Sequence, residues 1–140
     1  MNMAHTTTSI KIPASPYKVW KLIGGFNSLP DWVPYLPSSE LSEGGSVRHL
    51  INSYGDAIVE RLEAFNDKER YYTYSIMEGP FPVTDYQATI RVKEGTDGES
   101  SLVEWSGSFT PVGVSDQETI DLFHGIFKDG LEALQQAFLD

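Results

Sequence analysis

From residue 115 onward the chain repeats its apolar positions with a helical period. Ile120, Phe123, Phe127, Leu131, Leu134 and Phe138 recur every three or four residues in SDQETIDLFHGIFKDGLEALQQAFL. Such a stripe predicts an amphipathic helix from Ser115 to Leu139, ~35 Å long. Ser115 or Asp116 can cap its start, and Glu118 puts negative charge in the first turn, where the helix dipole favours it. A single helix has nothing to bury this stripe against, so the preceding chain must supply the partner. There the period is two. Thr6–Ile12 alternates, with Thr8, Ile10 and Ile12 on one face. Further strands are predicted near Ser39–Glu43, Ser46–Ser53, Ala57–Asn66, Tyr71–Met77, Asp85–Lys93 and Ser101–Thr110. Glu43-Gly44-Gly45, Tyr54-Gly55-Asp56, Asn66-Asp67-Lys68-Glu69 and Gly95-Thr96-Asp97-Gly98 supply turn chemistry between them. Connections this short favour antiparallel neighbours.

Between the first strand and the rest, Ser15-Pro16 is a helix start, a cap followed by proline at the first helical position. Val19, Trp20 and Ile23 would give that helix its buried side, and Gly24-Gly25 would stop it. The prolines in FNSLPDWVPYLP permit only short helical turns, with Leu29, Trp32, Tyr35 and Leu36 capping one end of the core. Strand, two short helices, six strands and a long helix make an α+β protein: a curved antiparallel sheet gripping one helix, with a cavity between them. At 140 residues the chain is expected to be one domain, 1–140, without repeat or linker.

Composition narrows the function classes. The formal net charge is −10, and such a field repels a phosphate backbone and an anionic membrane surface. There is no cysteine, so disulfides, zinc–thiolate sites and cysteine catalysis are excluded. The start, MNMAHTTTS, has no basic segment followed by an apolar run, and no stretch approaches the ~20 apolar residues of a membrane span. The expectation is a cytoplasmic protein, monomer or homodimer, with no nucleic-acid partner and no membrane insertion.

Alternation sorts the candidate chemistry by face. Ile58, Glu60 and Leu62 share one side of their strand, with Arg61 and Glu63 on the other. Glu60 thus sits in an apolar row, where burial raises a carboxyl pKa unless a cation or donor meets it. Tyr86, Ala88, Ile90 and Val92 form the inward row of the next-but-one strand, so Tyr86 offers a phenol to the interior. Arg48 is ambiguous: Val47, His49 and Ile51 make an apolar row opposite it, yet an inward Arg48 beside Leu50 would be the natural partner of Glu60. Two readings are open. One is a general acid/base with polar anchors in a cavity; the other is a structural ion pair with a tyrosine at the core's edge. Glu104, between Val103 and Trp105, could face either way, solvent being the simpler state. His5, His49 and His124 lack metal-ligand spacing; His5 belongs to a flexible end and His124 to a rim. No metal or organic cofactor is expected. Gly125 and Gly130 cost the long helix ~1 kcal/mol each relative to alanine, for either close packing or ligand room. Glu78-Gly79-Pro80-Phe81-Pro82-Val83 is a stiff apolar loop, a candidate lip over a cavity mouth facing Tyr54-Gly55-Asp56.

These stretches carry a resemblance. SPYKVWKLIGGFNSLPDW, GGSVRHL, VERLEAFNDKERYYTYSI, DYQATIRV, LVEWSGSFTP and the terminal helix resemble the START-like superfamily, also called SRPBCC or polyketide cyclase/dehydrase. The similarity covers nearly the whole chain and extends to uncharacterised bacterial members, plant lachrymatory-factor synthases and abscisic-acid receptors. It implies the helix-grip fold, a seven-stranded sheet around a C-terminal helix with a deep hydrophobic cavity between. Residue by residue, Arg48 in GSVR, Glu60 in ERLE and Tyr86 in DYQATI match a synthase trio implicated in proton shuttling on a sulfenic acid. Glu60, Tyr86 and Glu104 match receptor pocket positions. The receptor gate is replaced by SYGDA and its latch by EGPFPV; its pocket lysine has no counterpart near Leu36–Ser38, and its helix asparagine is Gly130. Abscisic-acid signalling is therefore not implied.

Three functions follow from residues and resemblance together. The first is binding of a small hydrophobic or amphipathic ligand by Arg48, Glu60, Tyr86, Phe81, Glu104, Phe123 and Phe127. The second is a cofactor-free cyclase, dehydratase or isomerase, with Glu60 and Tyr86 moving a proton and Arg48 as anchor. The third is an interaction module of the chaperone-activator kind.

Overall fold

The computed structural model describes residues 3–139. Met1, Asn2 and Asp140, the first two belonging to the start MNMAHTTTS discussed above, lie outside the described residues. The elements are β1 (Ala4–Ile12), α1 (Pro16–Ile23), β2 (Ser38–Ser42), β3 (Val47–Ile51), β4 (Ala57–Asn66), β5 (Tyr71–Glu78), β6 (Val83–Glu94), β7 (Ser101–Pro111) and α2 (Asp116–Ala137). The second short helix is a single 3-10 turn, Leu29–Asp31. The strands form one antiparallel sheet in the order β1-β7-β6-β5-β4-β3-β2. With α2 against its inner face this is the helix-grip fold.

Local chemistry explains the helix limits. Ser15 Oγ accepts the Lys18 N–H (3.3 Å), and Pro16 occupies the first turn, where its missing N–H costs nothing. A Cβ at Gly24 would lie 2.6 Å from the Trp20 ring, so the chain turns at a residue that has none. Ser115, rather than Asp116, caps α2 by accepting the Glu118 N–H at 3.1 Å. Phe123, Phe127, Leu131 and Leu134 are buried, while Ile120 and Phe138 are half-buried. Each fully buried side chain of this kind contributes about 1.5–3 kcal/mol. Close packing accounts for Gly130, where a Cβ would meet Trp105 at 2.8 Å and the Tyr35 hydroxyl at 3.0 Å. Among the described residues no neighbour comes within 4 Å of that position at Gly125, and nothing there explains the glycine.

Several boundaries differ from the sequence reading. β3 is shorter, Val47–Ile51 rather than Ser46–Ser53, and α2 ends at Ala137 rather than Leu139. Three other differences have a local cause. His5 is not in a loose end: it pairs with Ser108 within β1, pointing outward. β2 stops at Ser42 because Glu43 (φ 53°) and Gly44 (φ 70°) enter the left-handed region. β6 begins at Val83, not Asp85. Thr84 pairs with Thr110 and Gln87 with Ser108, so β6 carries one extra residue, absorbed at Asp85 with φ 53°. That bulge reverses the facing parity, and Val83 and Tyr86 both turn inward.

Candidate ligand cavity

The site begins with register. β3 and β4 pair so that Arg48 lies directly opposite Glu60, on the inner face beside Leu50 and Ile58. This decides the ambiguity at Arg48, which is fully buried. Its Nε donates to Glu60 Oε1 at 2.7 Å, and Nη2 forms an ion pair with the same oxygen, also at 2.7 Å. Nη1 donates to the Phe26 carbonyl (3.0 Å) and the Tyr72 hydroxyl (3.2 Å). The guanidinium also sits over the rings of Phe26 (4.2 Å) and Tyr74 (4.8 Å), a cation–π arrangement in a water-poor place. A charge so deep is tolerated only when paired and hydrogen-bonded. Burial works against the Arg48 charge, and Tyr72, Glu60 and Tyr74 outweigh it, so Arg48 remains a cation. Burial lifts Glu60 above its ordinary value, with Arg48 pulling back only part of the shift. Neither Arg48 bond uses Glu60 Oε2.

A tyrosine layer lies beside this pair. The bulge at Asp85 turns Tyr86 inward, where its hydroxyl is 3.5 Å from that of Tyr74. The Trp105 indole donates to the Tyr74 oxygen at 3.1 Å. An indole can only donate, so Tyr74 keeps its own proton to offer elsewhere. Burial pushes both phenols upward, and both stay protonated at neutral pH. Tyr86 bonds to neither Arg48 nor Glu60; Tyr74 stands between, beneath the guanidinium and within reach of Tyr86. Tyr74 and Tyr72 are site residues the sequence reading passed over. The alternation in Tyr71–Met77 was the available signal, since it puts Tyr72, Tyr74 and Ile76 on one face.

Above this floor is a cavity of about 520 Å³ between the sheet and α2. Arg48, Glu60, Tyr74, Tyr86 and Trp105 form its base, and Phe123 and Phe127 on α2 its roof. Phe127 stacks on Trp105 (4.8 Å), and Phe123 packs against Phe81 (5.2 Å). Both loops suspected as lips line it, Tyr54 and Asp56 from the β3–β4 turn and Pro80, Phe81 and Pro82 from the β5–β6 loop.

Glu104 requires a correction. It lies on the outer sheet face, paired in register with Arg91 and Ser9, and binds Lys93 Nζ at 2.8 Å. Its buried neighbours Val103 and Trp105 own the inner row, so Glu104 does not reach the cavity. His124 is exposed, with Nδ1 3.5 Å from Thr6 Oγ1. Among the described residues no group of three or more His, Cys, Asp or Glu is placed to hold a metal ion, and no helix is long and apolar enough to cross a membrane.

Comparison with known proteins gives consistent matches. The family described as polyketide cyclase/dehydrase and lipid transport matches residues 3–138. The structure of the protein XoxI from Bacillus cereus is 74% identical, with a TM-score of 0.96, covering 98% of this chain and 96% of that one. An uncharacterised protein from Bacillus thuringiensis is 71% identical, with a TM-score of 0.97, over 98% of this chain and 100% of that one. A START superfamily protein from Mycobacterium smegmatis shares the fold at 13% identity and a TM-score of 0.79, over 96% and 97% of the two chains.

Proposed function

The chain belongs to the polyketide cyclase/dehydrase and lipid transport family, and from that premise we propose that it binds one small, largely apolar molecule between the sheet and α2. The cavity carries this reading: about 520 Å³, walled by aromatic and aliphatic side chains, with few polar groups at its base. That is the composition of a small-molecule site, where apolar walls supply affinity and a few fixed dipoles set orientation. A neutral environment-sensitive dye should bind with one-to-one stoichiometry. Ile76→Trp, which fills the cavity from a half-buried lining position, should abolish dye binding while leaving a cooperative melt. Unchanged binding in that variant would place the dye elsewhere and remove the support for a cavity ligand.

One observation favours a second reading, in which the ligand is turned over. Glu60 is buried, its pKa is raised, and one of its oxygens is not used by Arg48. In this reading that oxygen takes a proton from a substrate carbon and returns it at a neighbouring atom. Tyr86 and Tyr74 donate to the substrate oxygen on which negative charge grows. Arg48, its donors engaged by the protein, is a positioning residue that aims the carboxylate. The class of reaction is a cofactor-free cyclisation, dehydration or isomerisation. Glu60→Gln should then lower kcat by roughly 10²–10⁴-fold, the usual worth of general acid/base catalysis, with ligand affinity nearly intact. Turnover persisting in that variant would end the role given to Glu60.

A further inference from the structure

The charges around the cavity select its ligand. Among the described residues that line the cavity, Arg48 is the one cation, and its charge is committed to Glu60. The remaining charged lining groups are Asp56 and Asp129, both exposed at the mouth. Glu78 and Asp85 line a smaller cleft beside the Phe81 lip and add to the same field. No Lys or Arg occurs in 49–60, 71–90 or 94–127, the segments that hold both lips and the first half of α2. A ligand carboxylate would thus meet like charge on entry and find no free cation inside among the described residues. A cation would meet two carboxylates at the mouth and aromatic faces within, which attract positive charge through their quadrupoles. The floor already illustrates this preference, since its Arg48 guanidinium sits over the rings of Phe26 and Tyr74.

We infer that the cavity takes apolar, ring-bearing amines, with the ammonium group held at the Asp56–Asp129 mouth and the apolar part seated on the aromatic floor, and that it rejects carboxylates of the same shape. This rests on the cavity-binding reading above and specifies its ligand class. The test uses three probes that share a ring and differ in head group: naphthylethylamine, naphthylethanol and naphthylacetate. Each is titrated calorimetrically at neutral pH and low salt. The amine should bind about tenfold or more tightly than the carboxylate, with the alcohol between, and added salt should narrow the gap. In Asp56→Asn/Asp129→Asn, whose side chains keep their shape and lose their charge, the amine should weaken several-fold while the alcohol stays unchanged. Carboxylate binding equal to or tighter than amine binding would overturn the inference and leave the cavity reading standing. An amine preference unaltered in the double variant would overturn it also. Failure of all three probes to bind would instead remove the cavity reading, and this inference with it.

Discussion

Two carboxylate–cation pairs lie on opposite faces of the same sheet. On the inner face Arg48 and Glu60 meet at 2.7 Å with side chains 1% and 8% exposed; on the outer face Lys93 and Glu104 meet at 2.8 Å with side chains 48% and 32% exposed. The distances are nearly equal and the consequences are not. Outside, water screens both charges whether or not they touch, so the pair is worth about 0–1 kcal/mol. Inside, neither charge has water to return to, and each is tolerable only because the other is there. The inner pair is also fixed by two aromatic rings, a backbone carbonyl and a tyrosine hydroxyl. Burial, not contact distance, is what separates a structural and chemical centre from an ordinary surface contact.

The largest effect should come from breaking the inner pair on one side. Arg48→Ala leaves a buried carboxylate without its partner, and urea denaturation should show a loss of about 3–5 kcal/mol. Arg48→Met combined with Glu60→Leu removes both charges and should cost less than Arg48→Ala alone. A double variant as unstable as the sum of its single changes would mean that the two charges are not coupled.

A smaller effect is pH-dependent. The folded pKa of Glu60 lies above its ordinary value of 4.5. Below that value both folded and unfolded chains hold the proton, and Glu60 contributes no pH dependence. As pH rises, the unfolded chain releases the proton first, so stability falls until the folded pKa is passed and is level thereafter. The stability of the wild type relative to Glu60→Gln should therefore decline as pH rises upward from 4.5. A difference that increases with pH would place the folded pKa below the ordinary value and contradict the burial argument. The smallest effect belongs to the outer face, where Glu104→Gln should change stability by about 0–1 kcal/mol and leave dye binding untouched. A clear loss of binding in that variant would erase the contrast between the two faces.

Glu60 and Tyr86 were legible in the sequence because each lies in a row whose other members are apolar. Arg48 was not, since Val47, His49 and Ile51 formed a competing row across the strand. The pairing of β3 with β4 chose the inner face for it. Glu104 was the converse case, read as a pocket residue through resemblance and placed outside by the neighbours on either side of it. The bulge at Asp85 was hidden because the residue that takes the left-handed conformation is not glycine. Tyr74 was missed although its alternation with Tyr72 and Ile76 was in plain view; each tyrosine suited an ordinary strand, and nothing marked it as polar floor.

The chain's local patterns alone determined the long helix, the order of strands and turns, and the cap at Ser15, because these depend on residues a few positions apart. They also assigned Glu60 and Tyr86 to one side of their strands. Only the tertiary structure decided that Arg48 meets Glu60, that Gly130 yields its space to Trp105, and that a cavity of about 520 Å³ is left under α2. Contacts between strands depend on long-range register, and an internal void is what remains after every side chain has been packed. Neither is encoded in any local stretch of sequence.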